Sequence, residues 1–221
     1  MSMDAAIFDM DGVLVDTEDL YYNFLRNHLL NIGATLGPEF DRLRVDFRGS
    51  RTFELWDRIK DIYDLEGSVR DEYVPAARKA YLQHIEVLPS LDAIVGGKDL
   101  IARLKTAGVR LGLASSSSRA RISLMLSRIG IHEHYPEFVS ADDVKRGKPA
   151  PDCYLLAAEK INVHPSRCVV FEDAVHGIEA ARAAGMKTVG FNGLKTNPDE
   201  YCVGDINVTH FDEVDTDSLK M

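Results

Sequence analysis

The chain has 221 residues, 45% of them hydrophobic, and carries 26 Lys and Arg against 35 Asp and Glu, a formal charge of −9 at pH 7. That length can bury a sizeable core, alone or with a smaller second lobe, and the acidic balance argues against a general nucleic-acid binder. It leaves an anionic substrate open, because a bound cation and a few local bases can invert the field of a pocket. Cys153, Cys168 and Cys202 are odd in number and lack metal-ligand spacing, so they read as reduced packing residues. No apolar run reaches the length of a membrane span, and the N-terminus lacks a signal-peptide pattern. The expectation is a cytoplasmic, monomeric enzyme with neither a membrane nor a nucleic-acid partner.

In chain order, Ala5 to Phe8 is a short apolar run that reads as a buried parallel strand. It runs into Asp9-Met10-Asp11-Gly12, two acids one residue apart before a turn-permitting glycine. On an extended backbone their side chains face the same way. Residues 17 to 88 then lack strand-like alternation and read as an inserted helical lobe. Its helices are expected from Asp16 or Thr17 (either could cap) to Gly33, Pro38 to Phe47, Ser50 to Tyr63, and Val69 to Ile85. From Pro89 onward strand and helix alternate. Strands are expected at Val109 to Ala114, Phe138 to Ser140, Arg167 to Phe171, Lys187 to Phe191 and Ile206 to Val208. Helices are expected at Gly97 to Ala107, Ala120 to Ile129, Asp152 to Ile161 and Ala174 to Ala184. The pattern predicts an α/β protein: a Rossmann-like parallel sheet built from 1–16 and 89–221, covered by helices, with the helical domain 17–88 inserted.

Ligands of open α/β sheets bind beyond the carboxyl ends of strands, and several strand ends here carry chemistry. The strand ending at Ala114 runs into Ser115-Ser116-Ser117-Ser118 at a helix start, where hydroxyls and amides suit an anion. Lys148 precedes a proline, which holds it extended, and leads into a helix that Pro151 can start and Ala150 or Asp152 can cap. A later strand ends in Glu172-Asp173. A surface lysine or a serine-rich cap would look the same in isolation. Two acidic strand ends bracketing a serine end and a lysine are far less common.

Together, the Asp-x-Asp-Gly end, the strand-terminal Ser115, Lys148-Pro149 and the Glu172-Asp173 end resemble the four motifs of the haloacid dehalogenase superfamily, in order and in spacing. A helical insert directly after the first motif is similar to the beta-phosphoglucomutase-like subgroup with its small cap. The resemblance spans nearly the whole chain and implies a Rossmann-like core, Mg²⁺ and phosphoryl transfer through a phosphoaspartate. Phosphoryl transfer is mostly positioning and charge neutralisation. On this reading Asp9 is the nucleophile and Asp11 the general acid and base. Asp9, Asp173 and the Met10 carbonyl bind Mg²⁺, with Glu172 on the ion or one step behind it. Ser115 and the N–H of Ser116 hold phosphate oxygens, and Lys148 offsets charge between Asp9 and the phosphate. The acid at Asp11 favours phosphomonoester chemistry over cleavage of carbon–halogen or carbon–phosphorus bonds.

Cap residues bear on the choice between hydrolysis and isomerisation. Arg51, at a helix start, resembles the cap arginine that contacts the substrate's distal group. Thr17 matches the mutases' hinge threonine, whereas Tyr21 stands where they carry a histidine that assists the acid. Arg78 and Lys79 lie roughly where those caps supply a lysine, too loosely to carry a role across. His176, three residues after Asp173, reads as a helix-surface residue, and the remaining histidines suggest no zinc site. The leading expectation is a phosphatase of a small phosphorylated metabolite such as a sugar phosphate. A hexose phosphate mutase is the alternative, and a non-catalytic phosphate-binding module comes third.

Overall fold

The computed structural model describes residues 3–46, 52–194 and 201–216. The chain packs as two compact units, Met1–Asp16 with Ser90–Met221, and Thr17–Pro89. No described helix is long and apolar enough to cross a membrane.

The first unit is organised around β1 (Ala5–Phe8), all four residues of which are fully buried. A strand buried on both faces needs apolar residues at every position, which is why Ala-Ala-Ile-Phe does not alternate. It lies between β2 (Arg110–Leu113) and β3 (Cys168–Glu172). The sheet continues through β4 (Lys187–Phe191) to β5 (Ile206–Val208), all pairs parallel, in the order β2-β1-β3-β4-β5. Ala5, Ile7, Cys168 and Val170 pack with α7 (Asp152–Lys160) and α8 (Val175–Ala183) through Cys153, Tyr154, Ala157, Ala180 and Ala181. Phe8 and Phe171 alternate onto the other face and stack with centroids 4.6 Å apart. Burying a side chain of this size contributes about 1.5–3 kcal/mol, so this pair helps fix the register of β1 on β3.

Two further helices belong to this unit, α5 (Gly97–Thr106) before β2 and α6 (Arg119–Arg128) after it. The strand expected at Phe138 to Ser140 is a single bridge, Ala114 to Val139. The Ser140 N–H donates to the Asp143 carboxylate at 2.8 Å, closing a short 3₁₀ turn over Ala141–Asp143 and leaving no ladder to extend. α7 begins at Asp152 as expected, but Pro151 stands at its N-cap in place of Ala150 or Asp152.

The helical unit contains α1 (Glu18–Asn31), α2 (Pro38–Asp46), α3 (Thr52–Tyr63) and α4 (Val74–Val87). Phe24, Leu29, Trp56, Ile59, Tyr81 and Ile85 are buried in it. The single helix expected from Val69 to Ile85 is two pieces. Pro75 has no N–H to give and fits only in a first turn, so a five-residue π turn over Val69–Tyr73 precedes α4. Thr17 stands at the N-cap of α1, but its side chain makes no capping hydrogen bond.

Candidate active site

Register builds the site. Phe8 pairs with both Leu113 and Phe171, so the residues just beyond them emerge at one level of the sheet. The Asp9 N–H donates to the Phe171 carbonyl and the Ala114 N–H to the Phe8 carbonyl, both at 3.0 Å. Three chain segments far apart in sequence are thereby held edge to edge.

Lys148 closes this level. Its Nζ lies 2.6 Å from Asp9 Oδ1 and 2.6 Å from Glu172 Oε1, and its side chain is only 9% exposed. A buried ion pair is a poor device for stability, since well-packed apolar residues would serve as well. Its presence here points to chemistry. Glu172 is held at both oxygens: Tyr154 OH donates to Oε1 at 3.0 Å and the Ala174 N–H to Oε2 at 2.9 Å. The Lys148 ammonium also sits 4.8 Å from the Tyr154 ring centroid.

The charge at this level is unbalanced. Burial pushes the Asp9 carboxyl well above the usual carboxylate range, and Glu172, Asp11 and Asp173 push the same way against the pull of Lys148. Burial also opposes the charge on Lys148, but Asp9 and Glu172 outweigh it and hold its pKa well above the ordinary lysine value. The ammonium therefore stays charged, and the excess negative charge is what a cation would neutralise. Oxygens of Asp9, Glu172 and Asp173 all lie within 4.8 Å of one another, a hard donor set of the kind that suits Mg²⁺ or Ca²⁺. Gly12 makes room for this group. It has φ of +78°, and a Cβ there would fall 2.3 Å from Asp173 Oδ2.

Asp11 faces the serine end of β2. Its Oδ2 accepts from Ser117 Oγ at 2.7 Å and Ser115 Oγ at 3.2 Å, and its Oδ1 from Arg121 Nη2 at 2.6 Å. Some amides at the start of α6 are used within the protein. Ser117 N–H donates to Ser115 Oγ at 3.1 Å and Arg119 N–H to Asp142 at 2.9 Å. Ser117 was expected only as part of the serine end and not as a partner of Asp11, and Arg121 and Tyr154 are not among the residues the sequence points to. The i, i+2 spacing of Ser115 and Ser117 was a usable signal for the first, whereas the other two carry none without the phase of their helices.

Not every residue singled out from sequence joins the group. The Met10 carbonyl, expected on the ion, accepts the N–H groups of Leu14 at 2.9 Å and Val15 at 3.1 Å within its turn. Ser116 is exposed at that serine turn. His176 is exposed on α8 and lies 3.3 Å from Glu179. Tyr21 packs within the helical unit, edge-on to Tyr81, and its hydroxyl accepts from Trp56 Nε1 at 3.4 Å. Arg78 lies 6.0 Å from the Phe53 ring centroid. Thr17 belongs to the helical unit, and Arg51 lies outside the described residues. All three cysteines are free and buried, and burial pushes the Cys153 thiol up to about 11, which removes it as a nucleophile near neutral pH.

A family model for haloacid dehalogenase-like hydrolases matches residues 3–185, which takes in every strand-end residue just described. The chain belongs to the haloacid dehalogenase-like hydrolase family. Among curated relatives it is 36% identical to the fructose-1-phosphate phosphatase YqaB of Escherichia coli, over 83% of this chain and 93% of that one. It is 33% identical to the beta-phosphoglucomutase of Bacillus subtilis, over 85% of this chain and 83% of that one. Among solved structures it is similar to CbbY from Rhodobacter sphaeroides in complex with xylulose-(1,5)-bisphosphate. That match has a TM-score of 0.75 and 26% identity, and covers 96% of each chain.

Proposed function

We propose that this member of the family is a Mg²⁺-dependent phosphatase of a small phosphorylated metabolite, a sugar phosphate, acting through a phosphoaspartate on Asp9. One observation carries the reading: Asp9 is a buried carboxylate, fixed at one oxygen by Lys148 and grouped with Asp173 and Glu172. A carboxylate held in this way can take a phosphoryl group, while the ammonium beside it offsets the incoming charge. Asp9 and Asp173 would hold the ion, with Glu172, engaged at both oxygens, supporting from behind. When bound, Mg²⁺ supplies further charge neutralisation to the phosphoryl oxygens.

The chain's own residues then divide the work. Asp9 bonds to phosphorus as the ester P–O bond breaks, and the proton of Asp11 passes to the departing alcohol. Water then bonds to phosphorus and gives a proton back to Asp11, and the bond to Asp9 breaks. Ser115 and Ser116 are the proposed phosphate contacts. Thr17 and Arg51 stay candidates for the rest of the substrate on the family resemblance alone.

Hydrolysis is favoured over isomerisation because Tyr21 stands where the mutases carry a histidine that assists the acid. The relative named a fructose-1-phosphate phosphatase supports the same choice. The deciding experiment is a panel of phosphorylated sugars and small metabolites with Mg²⁺, measuring released phosphate and isomerised product together. Net phosphate release is expected, and Asp9→Asn should abolish it. Isomerisation without phosphate release, dependent on a bisphosphate primer, would establish a mutase instead, and full activity in Asp9→Asn would remove the phosphoaspartate.

A further inference from the structure

We propose that Arg121 and Ser117 belong to the phosphate-binding group, and that the Asp11 carboxylate holds the place of phosphate there until substrate displaces it, a role that rests on the phosphatase reading above. Arg121 Nη2 donates to Asp11 Oδ1 at 2.6 Å, while Ser117 Oγ and Ser115 Oγ donate to Oδ2 at 2.7 and 3.2 Å. Each of these groups donates a hydrogen bond, so together they hold Asp11 as a charged acceptor. The same donors suit a phosphate. A planar guanidinium matches carboxylate and phosphate oxygens alike, and Ser115 is already among the proposed phosphate contacts.

Placement supports the exchange. The Ala114 N–H donates to the Phe8 carbonyl, so the serine end of β2 leaves the sheet beside Asp9. Arg121 lies in the first turn of α6, and the neighbouring Arg119 ties that turn down twice. The Arg119 N–H reaches Asp142 at 2.9 Å, and its guanidinium reaches both Asp143 oxygens at 2.6 and 2.7 Å. Arg121 therefore projects from a fixed backbone, whereas its present partner is the movable one. The Asp11 side chain is 28% exposed, against 7% for Asp9 and 2% for Glu172. An ion pair so open adds little to stability, and a phosphate brings more charge to the same donors than a carboxylate does. Once displaced, Asp11 leaves the groups that hold it as an acceptor and is available for its part in the proposed reaction.

Equilibrium binding of inorganic phosphate, measured by calorimetry in excess Mg²⁺, tests the exchange through a double-mutant cycle. The parent enzyme, Asp11→Ala, Arg121→Ala and the double variant are compared, with thermal unfolding followed alongside. Asp11→Ala should bind phosphate at least about threefold more tightly, because the competing carboxylate is gone. In that background Arg121→Ala should weaken binding by roughly 10–100-fold, the loss of a charge-assisted hydrogen bond. In the parent background the loss should be smaller by about threefold or more, since the same change also loosens the competitor. Arg121→Lys should keep part of the affinity as a point charge, and Arg121→Gln completes the cycle if the alanine variant does not fold. An arginine that only offsets the charge of Asp11 gives the reverse order, a loss in the parent background that vanishes with Asp11→Ala. That reverse order, equal losses in both backgrounds, or no gain in Asp11→Ala would overturn the assignment. A parent enzyme that releases phosphate from no compound of the panel would instead overturn the phosphatase reading and this role with it.

Discussion

Gly177 lies in the first turn of α8, where a Cβ would come within 1.7 Å of Glu172 Oε1 and 2.6 Å of its Cγ. Glu172 cannot easily swing aside, because Lys148, Tyr154 and the Ala174 N–H hold both of its oxygens. On an exposed helix, replacing glycine by alanine stabilises by about 1 kcal/mol. Here overpacking of about 1–3 kcal/mol opposes that gain. Gly177→Ala should therefore be less stable in urea unfolding and should lose roughly tenfold or more of its phosphate release, as Glu172 pulls Lys148 off Asp9. A variant as stable and active as its parent would mean that Glu172 is loosely held. Much at this scale was legible in the sequence, because Asp9, Ser115 and Glu172 each follow an apolar strand and Lys148 precedes a proline. Arg121 was not. Arg119 and Arg121 are two apart on a helix and so point different ways, and only the packing of α6 sends one to Asp143 and the other to Asp11.

At the scale of the element, the start of α6 depends on the 3₁₀ turn that replaced an expected strand. Burial opposes the charge of Asp143, but the Arg119 guanidinium and the Ser140 hydroxyl and N–H outweigh it and hold the carboxyl at about 2. A carboxyl lowered from its usual 3.8 contributes stability above that value and loses it as pH falls toward about 2. With Arg119 half exposed, the contribution at pH 7 is on the order of 1–2 kcal/mol. Asp143→Ala should lose that much at pH 7 in denaturant titrations, and the gap to the parent should close between about pH 4 and pH 2. A constant gap would assign the loss to packing. The turn was hidden because Phe138-Val139-Ser140 has strand composition, and composition says nothing about which N–H groups a nearby acid will claim.

For the whole molecule, the carboxylates clustered at the carboxyl ends of β1 and β3 make the folded state a better cation binder than the unfolded chain. A ligand at about a hundred times its Kd stabilises by roughly 2.7 kcal/mol, which for a chain of this size is a rise in Tm of roughly 5–10 °C. Mg²⁺ should produce that rise over NaCl of matched ionic strength, and EDTA should reverse it. Asp173→Asn should abolish it; an undiminished rise in that variant would place the ion elsewhere. The alternation of strands and helices was legible from Pro89 onward, and so was the all-parallel sheet. Strand order was not, because periodicity locates strands without naming their neighbours.

That order sets a timetable for synthesis. β1 is an interior strand with a partner on each side, and its flank is tied to β3 by Arg167 and Asp4, 163 residues apart. At translation rates of about 5–20 residues per second, the apolar Ala5–Phe8 segment waits on the order of 10–30 s for its second partner to be made. Until β2 is made both edges are bare, and until β3 is made one still is, an open invitation to other chains. Brevity limits the hazard: four residues, two of them alanine, offer a poor template for aggregation, while the aspartates that follow add charge at its end.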